Sequence, residues 1–239
     1  MSFSVRVLSL LLVSSLIYAQ PPVYDGGANP VDRAAKPAIA AAVAVVPVVT
    51  FTFDFPESQP KHYSIRVPSD GPGHYQSTGR ISSESDDLDS FDFDFALSAE
   101  MRGKIFRLAE GAGHFAKDLD SHQKNLAFTG RKTLSYADAQ RAGEATFVYS
   151  ANPAAHELAD LFQTLSATLE FGHRLDWDRR YQKLALDDEL KRMQEMAQDR
   201  ELVEVAAIQP ILEQIVADRS VMNVARARAQ QLLQAPAGH

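Results

Sequence analysis

The sequence predicts an α+β protein in which a small antiparallel sheet with a covering helix is followed by an antiparallel helical bundle. Three observations predict it. Apolar and polar residues alternate through Tyr63, Ile65 and Val67, and again through Phe91, Phe93, Phe95 and Leu97, as half-buried strands require. From Asn152 onward the apolar spacing lengthens to steps of three and four, the period of an amphipathic helix. The composition, 45% hydrophobic and 23% charged over 239 residues, is that of an ordinary globular chain.

Residues 1–19 have the form of a secretory signal peptide: a cation at Arg6, an apolar stretch over residues 7–17, and Ala19 with Ile17 two positions before it. That stretch falls well short of the roughly 20 apolar residues a spanning helix needs. Cleavage after Ala19, a periplasmic or secreted location and no transmembrane span in the mature chain are therefore expected. Residues 20–60 form a Pro/Ala-rich leader, and over residues 20–37 no period lets it bury a face. Residues 38–49 are nearly all Ala and Val but are broken by Pro47. Phe51, Phe53 and Phe55 then alternate with Thr52 and Asp54. Residues 48–55 are thus either an edge strand of the following sheet or a mobile apolar segment that meets a membrane or a partner.

Residues 61–151 are expected to form the α+β domain. After the first strand, Asp70 and Gly71 supply hairpin turn residues, and the chain returns over residues 75–81. Ser98 is placed to cap a helix carrying Met101, Ile105, Leu108, Ala109 and Ala112 inward. Gly111 and Gly113 end that helix, the natural cover for the Phe91 to Leu97 face. Further strands are expected at residues 126–136, with a break at Gly130, and at residues 145–149.

Residues 152–235 are expected to be the bundle, docked on the first domain because no Gly/Ser or charged linker precedes it. Asn152-Pro153 is a cap followed by a first helical Pro, and Leu158, Leu161, Phe162, Leu165 and Leu169 mark a face that ends near Gly172. Asp187 is placed to cap a second helix with Leu190, Met193 and Ala197. A third helix carries Val205, Ile208, Leu212 and Ile215, kinked or divided by Pro210. The last carries Val221, Met222, Ala225, Ala229 and Leu232 before Pro236.

The stretches HYSIRVPSDGPGHYQSTG, AFTGRKTLSY, LADLFQTLSATLEFGHRL and SVMNVARARAQQLL carry a resemblance. In them the chain resembles an uncharacterised family of exported bacterial proteins, and the strand half resembles a bacterial domain of unknown function. The resemblance covers most of the chain after Lys61. It implies export but no activity, and it transfers no catalytic residue.

Composition narrows the function classes. With 24 Lys+Arg against 31 Asp+Glu the net charge is -7, so no nucleic-acid partner is expected, because phosphate binding needs a basic surface. The absence of Cys removes disulfides, thiolate nucleophiles and Cys-ligated metals. No nucleophile elbow, phosphate loop, dinucleotide fingerprint or H-E-x-x-H occurs, and no cofactor is expected. Glu84, Asp86, Asp87, Asp89, Asp92 and Asp94 form the densest charge run, with no cation between Ile81 and Ala99. It reads as a solvated face that protects a strand edge. Calcium is the one metal such oxygens suit, on Asp86, Asp87 and Asp89, although the glycine and distal Glu of an EF-hand loop are lacking.

The richest polar cluster surrounds the single Trp. Arg174, Trp177, Arg179, Arg180 and Tyr181 are the candidate binding residues, since Arg offers planar donors and stacks on rings. Helix-surface ion pairing is the plainer account of them, with Asp176 and Arg180 at i, i+4 spacing, worth about 0.2–0.5 kcal/mol. Arg226 and Arg228 stand about 200° apart around a helix, so one is expected to fold back onto acids and the other to be solvated. Two functions are weighed: an exported, non-enzymatic interaction or structural protein whose partner is another envelope or secreted protein, and a small-molecule binder or carboxylate-dependent hydrolase with a pocket between the two halves.

Overall fold

The computed structural model describes residues 46–80 and 89–234. The expected signal peptide, the leader through residue 45, and Asp86 and Asp87 lie outside the described residues. Strands β1 (Val48–Asp54), β2 (His62–Pro68), β3 (Gly73–Gly79) and β4 (Asp89–Phe95) come first. Helix α1 (Ala99–Gly111) follows, then β5 (Arg131–Ala137) and β6 (Ala142–Phe147). The chain finishes with α2 (Pro153–Tyr181), α3 (Leu186–Gln198), α4 (Gln209–Ala217) and α5 (Asn223–Gln234). The protein is α+β, as the two periodicities predict.

All six strands pair antiparallel in the order β4-β3-β2-β1-β5-β6. The segment over residues 48–55 is a strand, but its place is the middle of the sheet, between β2 and β5. Val49, Phe51 and Phe53 are buried on it, which an edge position would not achieve from both sides. The helices cover one face only: Phe51 stacks on Phe162 of α2 with ring centroids 5.2 Å apart. The opposite face is polar, with Thr133 and Thr146 bonded across β5 and β6 and the exposed His62 bonded to Asp54. An antiparallel sheet permits this one-sided burial.

Several local expectations hold for local reasons. Ser98 accepts the Met101 N–H and Asn152 accepts the Ala155 N–H, each satisfying an otherwise orphaned helix donor. Gly71 sits at φ +74 in the β2–β3 turn. Pro210 divides the third helical segment, following a 3₁₀ turn over Val205–Ile208 and standing in the first turn of α4. Of the two arginines of the last helix, Arg228 does fold back to an acid, Asp187 at 2.7 Å, but Arg226 is not the solvated one expected: it is part-buried and donates to the Val216 carbonyl.

Others are corrected. Residues 126–130 are not strand; β5 begins at Arg131, and Leu126 and Phe128 are exposed. The second bundle helix starts at Leu186 with no side-chain cap, and Asp187 lies within its first turn. Helix α1 lies over the β1–β5 side, with Phe106 edge-on to Tyr136 and Arg102 bonded to the Pro68 carbonyl, and α2 covers Phe91 instead. Most consequential, α2 does not end near Gly172 but runs on to Tyr181. That glycine is a contact, not a stop: a Cβ there would stand 2.7 Å from Ile208 Cγ2 and 3.1 Å from Ile211 Cδ1. One continuous core runs from Val49 to Leu232 through sheet and helices.

Candidate functional site

The length of α2 makes the site. Along the stripe that buries Leu158 and Phe162 against the sheet, the next positions at steps of three or four are Ser166, Glu170, His173, Trp177 and Tyr181. The apolar face therefore becomes polar and then aromatic where it passes over β3 and β4. Glu170 accepts hydrogen bonds from Tyr75 at 2.7 Å and Ser77 at 2.6 Å, both from β3. With its one hydroxyl hydrogen so used, Tyr75 leaves Ser166 to donate to its oxygen at 3.1 Å. On the other side His173 meets Glu170 through Nδ1 at 3.4 Å and Asp89 of β4 through Nε2 at 2.8 Å. Phe91 stacks on the imidazole at 4.3 Å, nearly parallel.

The electrostatics follow from this closure. Burial alone would push the Glu170 carboxyl up, yet the hydrogen bonds from His173, Ser77 and Tyr75, with the His173 charge, hold it below the ordinary value. Burial would lower His173, but the hydrogen bond and charge of Glu170, and then those of Asp89, raise it. Burial, then the Glu170 charge, drives the Tyr75 phenol well above its ordinary range. Both ring nitrogens of His173 face carboxylates, so the imidazolium form, with an N–H on each, is the one these partners favour. An Asp89–His173–Glu170 ion triad thus fixes α2 to the β4 edge.

Above the triad opens a cavity of about 470 Å³. One wall is β4, contributing the consecutive residues 89–93 with Phe91 stacked on Phe93 at 5.4 Å. The facing wall is α2, where Trp177 and Tyr181 pair at 4.4 Å beside Asp176 and Arg180. His173 forms part of the lining, and Ile211 and Gln214 of α4 complete it. Aromatic walls with a few convergent polar groups are the usual construction of a ligand pocket.

Of the candidate binding residues, the structure brings Trp177, Arg180 and Tyr181 to this cavity. Arg174 turns away, pairing with Glu189 of α3 and lying 4.4 Å over the Phe171 ring. Arg179 pairs with Asp176 at 3.0 Å and does not line the cavity, and its buried Nε has no hydrogen-bond partner. Asp178, half-buried beside Glu189, is pushed up to about 6 by burial and that charge, with Arg174 opposing. Asp89 turns to His173, and among the described residues no group of three or more His, Asp or Glu is arranged to hold a metal ion. Sequence reasoning missed Glu170, Phe91 and Phe93 as site residues. The signal for Glu170 was present, a carboxylate on the stripe that continues the Leu158 and Phe162 face, one turn after Ser166 and three residues before His173; for the two Phe residues no local signal separates pocket from core.

Compared with known proteins, the chain matches no family model and no curated protein. Among the described residues, no helix is long and apolar enough to cross a membrane.

Proposed function

We propose that the protein is an exported binding protein that captures its ligand in the pocket between β4 and the C-terminal half of α2. Export is supported by the Arg6, residue 7–17 and Ala19 pattern. The observation that carries the binding reading is the pocket itself, a cavity of about 470 Å³ lined by an aromatic pair on each wall together with Arg180, Asp89 and Asp92. Catalysis is the weaker reading. A general base needs a free ring nitrogen or carboxylate, whereas both nitrogens of His173 are engaged and the Asp176 carboxylate is shared by Arg179 and Arg180.

Trp177 is the only Trp of the chain, so its emission reports on the pocket alone. Purified mature protein titrated with neutral monosaccharides, alkylamines, free amino acids and a mixed tryptic peptide pool should give a saturable emission change with at least one class. Arg180→Ala with Tyr181→Ala should abolish that change without lowering the melting temperature, because Tyr181 is 65% exposed and the Arg180 side chain 56%. A flat response to every class would overturn the binding reading. Intact mass of the exported form should match a chain starting at or near Gln20, and a retained Met1 would overturn export.

A further inference from the structure

We infer that the outer edge of β4 is a strand-addition site for an extended basic peptide segment of a partner protein, one side chain of which enters the pocket; this rests on the binding reading above. The sheet has two edges, and the fold treats them differently. Alongside β6 runs the chain over residues 113–121: Gly143 leaves no room for a Cβ beside the His114 carbonyl, Asp120 accepts the Val148 N–H at 3.0 Å, and Ser121 donates to the Tyr149 carbonyl at 2.8 Å. Strand β4 pairs with β3 alone among the described residues. On its outer side every second residue therefore turns an N–H and a C=O outward.

The cavity lies along that edge. A hollow resting on one face of a sheet touches alternate residues of a strand, because successive side chains point to opposite faces. This one is lined by all of residues 89–93, so Ser90 and Asp92 of the solvent face contribute with Asp89, Phe91 and Phe93 of the core face. The cavity thus lies against five consecutive residues of the edge strand, and the Trp177–Tyr181 pair of α2, which also lines it, is a seat for one side chain of an added segment.

Charge selects the occupant. Strand β4 carries Asp89, Asp92 and Asp94 and no cation; Asp89 is taken up by His173, while Asp92 and Asp94, which share His74 of β3, keep side chains 64% and 70% exposed. A second copy of the same edge would bring like charges face to face, which is unfavourable across an antiparallel pair. A segment alternating Lys or Arg with apolar or aromatic residues meets the carboxylates with its cations and the aromatic seat with its other side chains.

The test uses purified mature protein and the capped peptide Lys-Val-Lys-Tyr-Lys-Val-Lys, which matches the seven residues of β4. Binding is read from selectively excited Trp177 emission. Controls are the same peptide with Glu for Lys and two N-methylated forms, one methylated on the Lys amides and one on the Val and Tyr amides. The basic peptide should bind saturably and the Glu peptide should not. Exactly one methylated form should lose at least about tenfold in affinity, because only alternate amides face the neighbouring strand. Asp92→Asn with Asp94→Asn, both exposed, should weaken binding without changing the melting temperature. Equal binding of both methylated forms would overturn strand addition in favour of simple charge attraction, and no binding of the basic peptide would overturn it outright. A small-molecule response of Trp177 in that last case leaves the pocket reading standing, so the two failures are separable.

Discussion

His173 shows how one side chain ties two distant parts of the chain together. Its raised value in the fold means that its contribution to stability is fully present below the ordinary imidazole value of 6.5 and is lost as pH rises through the raised folded value. Glu170 behaves oppositely, since its lowered value makes its contribution present above the ordinary 4.5 and lost as pH falls through the lowered one. Stability should therefore hold a plateau between these limits and decline on the alkaline side, and His173→Gln should flatten that alkaline decline in urea melts. His173→Ala at pH 7 should cost about 3 kcal/mol, because it strands the mostly buried Glu170 carboxylate. A cost below about 1 kcal/mol would place the triad with ordinary surface pairs.

At the level of elements, α2 decides the architecture, and Gly172 decides α2. The residue usually ends helices, and nothing within the helix repeat distinguishes a terminating glycine from one that makes room for a neighbour. Here the neighbours are Ile208 and Ile211, 36 and 39 residues further along the chain. Gly172→Ala gains about 1 kcal/mol of helix propensity yet overpacks this contact at a cost of about 1–3 kcal/mol, so a net loss of up to about 2 kcal/mol is expected in chemical denaturation. A stabilised variant would mean that α4 yields without cost. The caps at Ser98 and Asn152 and the break at Pro210 were legible because each acts on atoms within four residues of itself.

For the whole molecule, the central place of β1 sets what the chain can spare. Limited proteolysis should remove the chain before about residue 46 and then stop, since Val48–Asp54 is bonded on both sides. A chain beginning at Val46 should melt cooperatively. One beginning at Lys61 should not, because it loses the buried Val49, Phe51 and Phe53, at roughly 2–5 kcal/mol each against a total of about 5–15. Circular dichroism melts of the two chains check this, and cooperative melting of the shorter one would show that β2 and β5 can close directly.

The sequence by itself determined the fold class, the caps at Ser98 and Asn152, the turn at Gly71, and the inward faces of β1, β2 and the first turns of α2, because those depend on residues a few positions apart. That Trp177, Arg180 and Tyr181 cluster was legible for the same reason, since they lie within about one turn of helix, and the structure places all three on the cavity lining. Tertiary structure alone decided that β1 divides β2 from β5, that Gly172 is a contact, and that Asp89 and Phe91 meet His173 more than 80 residues away. Strand order and the pairing of β4 with α2 depend on which distant surfaces bury the most apolar area once the connecting loops have closed. The entropy of that closure depends on the length of the loops, not on any local pattern.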